Sequence, residues 1–277
     1  MDVLLVLVSS SLVAGIVATV TGYFTQRALA ARQARIDYEY GAKKRLYEAV
    51  GPLRFQLLLA CRDVVNRVDG HRRSMRWNML PQDYYVHSFI YRLLRPLAIS
   101  VLLERQMNYA DFSVDPQPGR LLRFGASGYR MLTERDPLPH PIDIDWSRES
   151  QHLFRENLRL AALRLLREDR DGQEIVMDYS DFKLACPDPL ADEAVAPLAR
   201  IFARTSDSLA ELPQWWLRLV GYAWACRTLI SDDGKGAGVS VPPLQVPVLL
   251  ALIKDPVITT HLAEYPQTFV EVTSKGL

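Results

Sequence analysis

Residues 3–24, VLLVLVSSSLVAGIVATVTGYF, carry no charge across 22 positions, and at about 1.5 Å per helical residue that run reaches across a bilayer core of roughly 30 Å. Polar and charged residues then enter without a proline or a turn signal from Thr25 to Val50, and Ala28, Ala30, Ala31 and Ala34 favour helix, so the apolar helix is expected to continue beyond the membrane. Gly51-Pro52 marks the first expected break. A second helix is predicted over 53–68, ended by Asp69-Gly70, followed by the connector HRRSMRWNMLPQD at 71–83. The next run, 84–109, is the most apolar after the N-terminal one and predicts a third helix, with Arg92, Arg95 and Pro96 at its centre. A second membrane span would bury two arginines in lipid at several kcal/mol each, whereas a protein core lets them pair, so this helix is assigned to a core.

Residues 111–146 are rich in proline and glycine and read as a loop-rich connector around short helical pieces, the best domain boundary in the chain. Ser147 caps an amphipathic helix over 147–169, and further helices are predicted at 189–211, 213–231 and 243–264. EIVMDY (174–179) and TFVEV (268–272) alternate in part, too little for a sheet domain. The expected fold class is therefore mainly α, an N-terminal transmembrane helix continuing into an all-helical cytosolic domain. The regions are 1–25 (transmembrane helix), 26–110 (membrane-proximal helical region), 111–146 (connector) and 147–277 (C-terminal helical domain).

Flanking charge gives the apolar segment a direction. Only Met1-Asp2 precedes it, while Arg27, Arg32, Arg35, Lys43, Lys44 and Arg45 follow, and basic residues stay on the cytoplasmic face. The reading is a retained anchor in the inner (plasma) membrane, with the N-terminus outside and residues from about 26 onward cytoplasmic; a cleaved signal would want its basic residues before the apolar run. Within the run, Ser11, Ala14, Gly15, Ala18, Thr19 and Gly22 recur at spacings of three and four, while Leu12, Val13, Ile16, Val17, Val20 and Phe24 fall opposite. A small face facing lipid gains nothing and lets another backbone approach, so the helix is expected to pack against further copies, a homo-oligomer in the membrane; the competing reading is the ordinary abundance of small residues in membrane helices. Ser11, Ala14, Gly15, Ala18 and Gly22 are the candidate packing or pore residues. No charge inside the span marks a voltage sensor or proton relay.

Net charge of +1 conceals an asymmetry: residues 26–76 hold 12 Lys/Arg against 5 Asp/Glu, and residues 168–193 hold 9 Asp/Glu against 2 Lys/Arg. A basic membrane-proximal segment suits an anionic leaflet, and also a phosphate-bearing ligand. Cys61, Cys186 and Cys226 are odd in number and lack C-x-x-C spacing, as expected of free thiols in a reducing compartment.

Catalytic patterns are missing from the sequence. His71, His87, His140, His152 and His261 show no ligand spacing, so no metal is expected. The glycines around Lys235 lack the phosphate-loop spacing, Ser127 between Gly125 and Gly128 lacks the nucleophile-elbow offsets, and Asp178, Asp181, Asp188, Asp192 and Glu193 fit no calcium loop. No cofactor and no enzymatic activity are expected. One recognition feature stands out: Arg72, Arg73 and Arg76 beside Trp77 combine guanidiniums that pair with phosphates and an indole that stacks a base. Lipid headgroups are the plainer partners of such a segment. Trp215, Trp216, Tyr222 and Trp224 are helically spaced and read as core.

The apolar N-terminal segment, the continuing basic helix RQARIDYEYGAKKRLYEAVGPL (32–53), the apolar helix FIYRLLRPLAISVLL (89–103) and the helical remainder together resemble the membrane-spanning effectors of bacterial antiphage defence, the Hailong type in particular. The resemblance covers architecture over most of the chain and transfers no site residues. It implies an oligomeric ion channel whose cytosolic domains bind a nucleotide or oligonucleotide made by a companion nucleotidyltransferase, the ligand holding the channel closed until infection removes it. The alternative is a membrane-anchored helical scaffold or binding module that recruits a soluble partner without forming a pore. An anchored hydrolase is least favoured, because no acid–base pair, nucleophile or metal set is present.

Overall fold

The computed structural model describes residues 2–73, 82–107, 115, 118–138, 149–205 and 212–275, the backbone alone being described at 2–18, 20, 72, 73, 82, 83, 204 and 205. The described residues form ten α-helices and one short hairpin: α1 (Asp2–Arg73), α2 (Gln82–Met107), α3 (Pro118–Thr133), α4 (Arg155–Leu163), β1 (Leu166–Glu168), β2 (Glu174–Val176), α5 (Tyr179–Ala185), α6 (Ala196–Thr205), α7 (Pro213–Asp233), α8 (Val246–Leu250), α9 (Pro256–Thr260) and α10 (Tyr265–Ser274). The mainly helical class read from the sequence holds.

α1 is a single helix of 72 residues, and the expected break at Gly51-Pro52 does not occur. Proline removes one helical N–H and crowds the side chain before it; Gly51 has no Cβ to crowd. Packing supplies the rest, since Leu46 and Val50 before the proline and Leu57, Leu58, Cys61, Val64, Val65 and Val68 after it are buried in one core. Both flanks being held in place, bending at Pro52 would expose one of them. Asp69-Gly70 likewise lies inside the helix, which ends at Arg73.

Four helices build the centre in the cyclic order α1, α2, α3, α7. Among the described residues α2 is the one helix long and apolar enough to cross a membrane, and most of it is buried against protein. Arg95 on it reaches Asp63 of α1 at 3.6 Å, the protein partner that a core offers an arginine. α7 is buried almost all round, with Trp215, Trp216, Tyr222 and Cys226 fully covered, as the aromatic spacing predicts. Its Trp216 indole donates to the carbonyl of Leu249 in α8 at 2.8 Å, and its Tyr222 hydroxyl donates to that of Leu93 in α2 at 3.2 Å.

Residues 118–133, inside the segment read as a loop-rich connector, are a 16-residue helix that completes this centre. Gly125 and Gly128 serve close packing: a Cβ at Gly128 would stand 2.9 Å from the Tyr222 ring and 3.0 Å from Leu97. Gly128→Val is expected to destabilise the fold by about 1–3 kcal/mol, the usual cost of overpacking, measured by urea denaturation. At its C-terminal end the fully buried Arg218 of α7 donates to the carbonyls of Met131 at 3.2 Å and Glu134 at 2.6 Å, acceptors that the last turn of a helix leaves without intrahelical donors. One continuous core draws residues from both sides of 111–146.

The amphipathic helix expected over 147–169 is realised only as α4, and residues 166–176 instead form the hairpin, with Leu166 opposite Val176 and Glu168 opposite Glu174. The turn explains the difference: the Asp169 carboxylate accepts from the backbone N–H groups of Asp171 and Gln173, both at 2.9 Å, a local competitor of helix. Residues 268–272, which alternate like a strand, belong to α10, where Pro266 sits in the first turn and Tyr265, Phe269 and Val272 bury one helical face. Of the helix predicted over 189–211, residues 189–195 are turns and α6 begins at Ala196, residues 206–211 lying outside the described ones; the helix predicted over 243–264 is divided into α8 and α9.

Candidate functional site

Asp63, Asn66, Arg67 and Gly70 follow i, i+3, i+4, i+7 spacing on α1, and Tyr85 and Arg92 are seven apart on α2; with His71 they line a cavity of about 300 Å³. Helical spacing puts each set on one stripe, and the packing of α1 on α2 turns the two stripes together. Arg67 lies over the Tyr85 ring at 4.4 Å and within 5.6 Å of the Phe89 ring. It also donates to the Ser88 hydroxyl, which donates in turn to the Tyr85 carbonyl at 3.2 Å. Its Nε–H is buried and has no acceptor among the described residues.

Among the described residues the charge lining the cavity is unbalanced, two arginines against Asp63. Asp63 is shared between Arg95 at 3.6 Å and Arg62 at 3.9 Å, whereas Arg92 makes no ion pair among the described residues. Burial lowers the Arg67 pKa from its ordinary value, yet a guanidinium starts high enough to stay charged. Burial also pushes the Tyr85 phenol up to about 12, so it stays a neutral hydroxyl. His71, its Nδ1 3.3 Å from that hydroxyl, is pushed down to about 2 by burial and then by Arg67, and is neutral at physiological pH. Two guanidiniums, an amide and a phenol around such a cavity suit a phosphate or another compact oxyanion.

The same shift sets a pH dependence. An unfolded chain protonates His71 below about pH 6.5, whereas the folded protein keeps it neutral down to about 2. The unfolded state therefore binds more protons across that window, and stability present in full above pH 6.5 is lost as pH falls. His71→Phe is expected to flatten the loss between pH 6.5 and 4.5, by at most about 1.4 kcal/mol per pH unit, measured by urea denaturation at stepped pH.

Two other cavities differ in charge. One of about 320 Å³ between α3, α7 and α10 is lined by Arg120 and Arg123 but also by Asp232, and Arg120 is drawn to Asp233, as is Arg54, each at 3.6 Å. The other, of about 550 Å³, carries Glu193 and no cation.

The sequence candidates distribute unevenly around this site. Arg72 and Arg73 close α1, directly after the lining residue His71, with only their backbones described; Arg76 and Trp77 lie outside the described residues. The side chains of Ser11, Ala14 and Ala18, and the surroundings of Gly15, are likewise outside them, while Gly22 is exposed on α1 with open space around it. Arg67, Tyr85 and Arg92 were missed as a set, although the polar stripe at 63, 66, 67 and 70 opposite an apolar one was visible in the sequence.

The remaining candidates have structural work. Asp178 caps α5 by accepting from the Asp181 N–H at 2.8 Å, Asp181 pairs with Arg167 at 2.9 Å, Asp188 accepts from the Leu190 N–H at 2.9 Å, and Asp192 pairs with Arg164 at 2.8 Å. The Ser127 hydroxyl donates to the Thr273 carbonyl at 3.4 Å. All three cysteines are free and buried, and burial pushes the Cys61 thiol up and that of Cys186 to about 11. No known protein family, curated protein or solved structure matches the chain.

Proposed function

We propose that this protein is a membrane-anchored helical effector, oligomeric in the bilayer, in which a nucleotide or oligonucleotide phosphate held by Arg67 and Arg92 controls an ion channel formed by the N-terminal segments. The observation that carries the reading is the continuity of α1: the helix that supplies Asp63, Asn66, Arg67, Gly70 and His71 to the cavity is the same helix that begins with the apolar residues 3–24. From Phe24 to Arg67 is about 65 Å at 1.5 Å per residue. The helix is continuous along this path, Pro52 included, so a change in how α1 packs on α2 around the ligand is carried along the rod to the membrane. The resemblance to antiphage effectors supplies the setting, a bacterial defence system in which opening the channel depolarises the infected cell and a companion nucleotidyltransferase makes the ligand.

Planar-bilayer conductance of the purified full-length protein tests this, with ATP and short oligoribonucleotides as probes. The expected result is a current that changes on adding a probe, and loss of that response in Arg92→Gln. Absence of current under every condition overturns the channel reading and leaves α1 as the tether of a scaffold.

A further inference from the structure

Between residues 21 and 38 α1 is exposed on every side, and on it stand Leu29, 60% exposed, Ile36, 49% exposed, and, just beyond, Tyr40, 72% exposed. These three share one face, since spacings of seven and four return to the same side of a helix. In proteins most helical stability comes from packing of an amphipathic face rather than from propensity, and three large apolar groups on one stripe are what packing would cover. We propose that this stripe is a seam between copies of the chain, packed in parallel against the same stripe of a second copy; parallel orientation rests on the membrane-anchored reading above, which puts all N-termini on one side.

The flanking charges fit a second copy. With Leu29 and Ile36 at d positions of a heptad and Tyr40 at a, Gln26 and Gln33 occupy the preceding a layers, Arg32 and Glu39 fall at g, and Asp37 and Lys44 at e. In a parallel pair each g residue faces the e residue five positions further along its partner. Arg32 then faces Asp37, and Glu39 faces Lys44, opposite charges in two successive heptads. Within one chain these groups make exposed contacts among the described residues, Gln33 to Asp37 at 2.9 Å, Arg35 to Glu39 at 2.9 Å and Lys44 to Glu48 at 3.9 Å, each worth little and easily exchanged. Glutamine at the a layers sets register at some cost in stability, as buried polar residues do in paired helices.

The seam also lines up with the membrane segment. Position 11 precedes Leu29 by 18 residues, about five turns, and positions 15, 18 and 22 fall within the same arc of the uninterrupted backbone. The small-residue face of the span and the apolar face of the stalk are thus one line. It stops where α1 enters its own core, with Lys43 at the next d position and Leu46 and Val50 buried within the chain.

Thiol cross-linking of the full-length protein in liposomes tests the seam. Leu29→Cys and Ile36→Cys, treated with a short bis-maleimide, are expected to give a dimer band at least tenfold stronger than Ala31→Cys and Tyr38→Cys on the opposite face. The native thiols, all buried, provide the low background. Asp37→Arg should weaken the Ile36→Cys cross-link and Arg32→Asp added to it should restore it. Equal yields on both faces, or an adduct of another mass, overturn the proposal. Cross-linking on the seam without any bilayer current upholds the seam while the channel reading falls; current without seam cross-linking does the reverse.

Discussion

Replacing Arg218 by alanine is expected to lower the stability of the protein by about 3–5 kcal/mol, the largest loss from any single substitution considered. Two costs combine. The guanidinium is fully buried and donates to the carbonyls of Met131 and Glu134; alanine leaves both acceptors without that donor, at about 1–3 kcal/mol each, and opens a cavity between α3 and α7. Set against them is the cost of burying the charge itself, visible in a pKa lowered to about 10 by burial. That term favours an apolar replacement, so Arg218→Met, which refills the space but cannot donate, should lose clearly less than alanine. Urea denaturation of the two variants measures both. An alanine variant as stable as the native protein would mean that the end of α3 is satisfied in another way.

The second large effect is functional. Six residues of Gly-Gly-Ser-Gly-Gly-Ser inserted between Ala31 and Arg32 are expected to abolish the ligand response of the bilayer current while moving the melting temperature of the core by no more than about 2 °C. The insertion falls where α1 is exposed on every side, so the core keeps its contacts, but a Gly/Ser segment is a flexible coil and passes on neither rotation nor translation. Seven residues of helical Ala-Gln-Ala-Ala-Leu-Ala-Ala at the same point lengthen the rod by about 10 Å, keep the heptad register with glutamine at a and leucine at d, and should preserve the response. A persisting response in the Gly/Ser variant would show that α1 is a tether rather than a transmitter.

Parts of this architecture were legible from pattern alone. α2 runs over 82–107 where the apolar run suggested 84–109, and α7 over 213–233 where Pro213 and the aromatic spacing suggested 213–231. Both are long and apolar and begin at a proline, Pro81 before α2 and Pro213 at the start of α7, so local and tertiary preferences agree. They disagree at Gly51-Pro52, where local chemistry says stop and the burial of Leu46 and Val50 with Leu57 and Leu58 holds the helix through. They disagree again at 118–133, where proline and glycine read as loop while Gly125 and Gly128 serve close helix packing. Arg72 and Arg73 lie in the last turn of α1, beside His71. The cavity beside them could not be read, because Arg67 and Arg92 are 25 positions apart in sequence and meet only through the packing of two helices.

What the chain by itself determined is one-dimensional: an uncharged run of 22 residues, basic residues on one side of it, and helical periodicity over most of the remainder. These follow from composition and spacing, which need no partner in space. Tertiary structure decided that α1 is unbroken, that α2 is covered by protein along most of its length, and that Arg67, Tyr85 and Arg92 face one cavity. Those outcomes depend on which surfaces meet. Burial shared among distant segments outweighs a local preference of one or two kcal/mol, and it is not written at any single position.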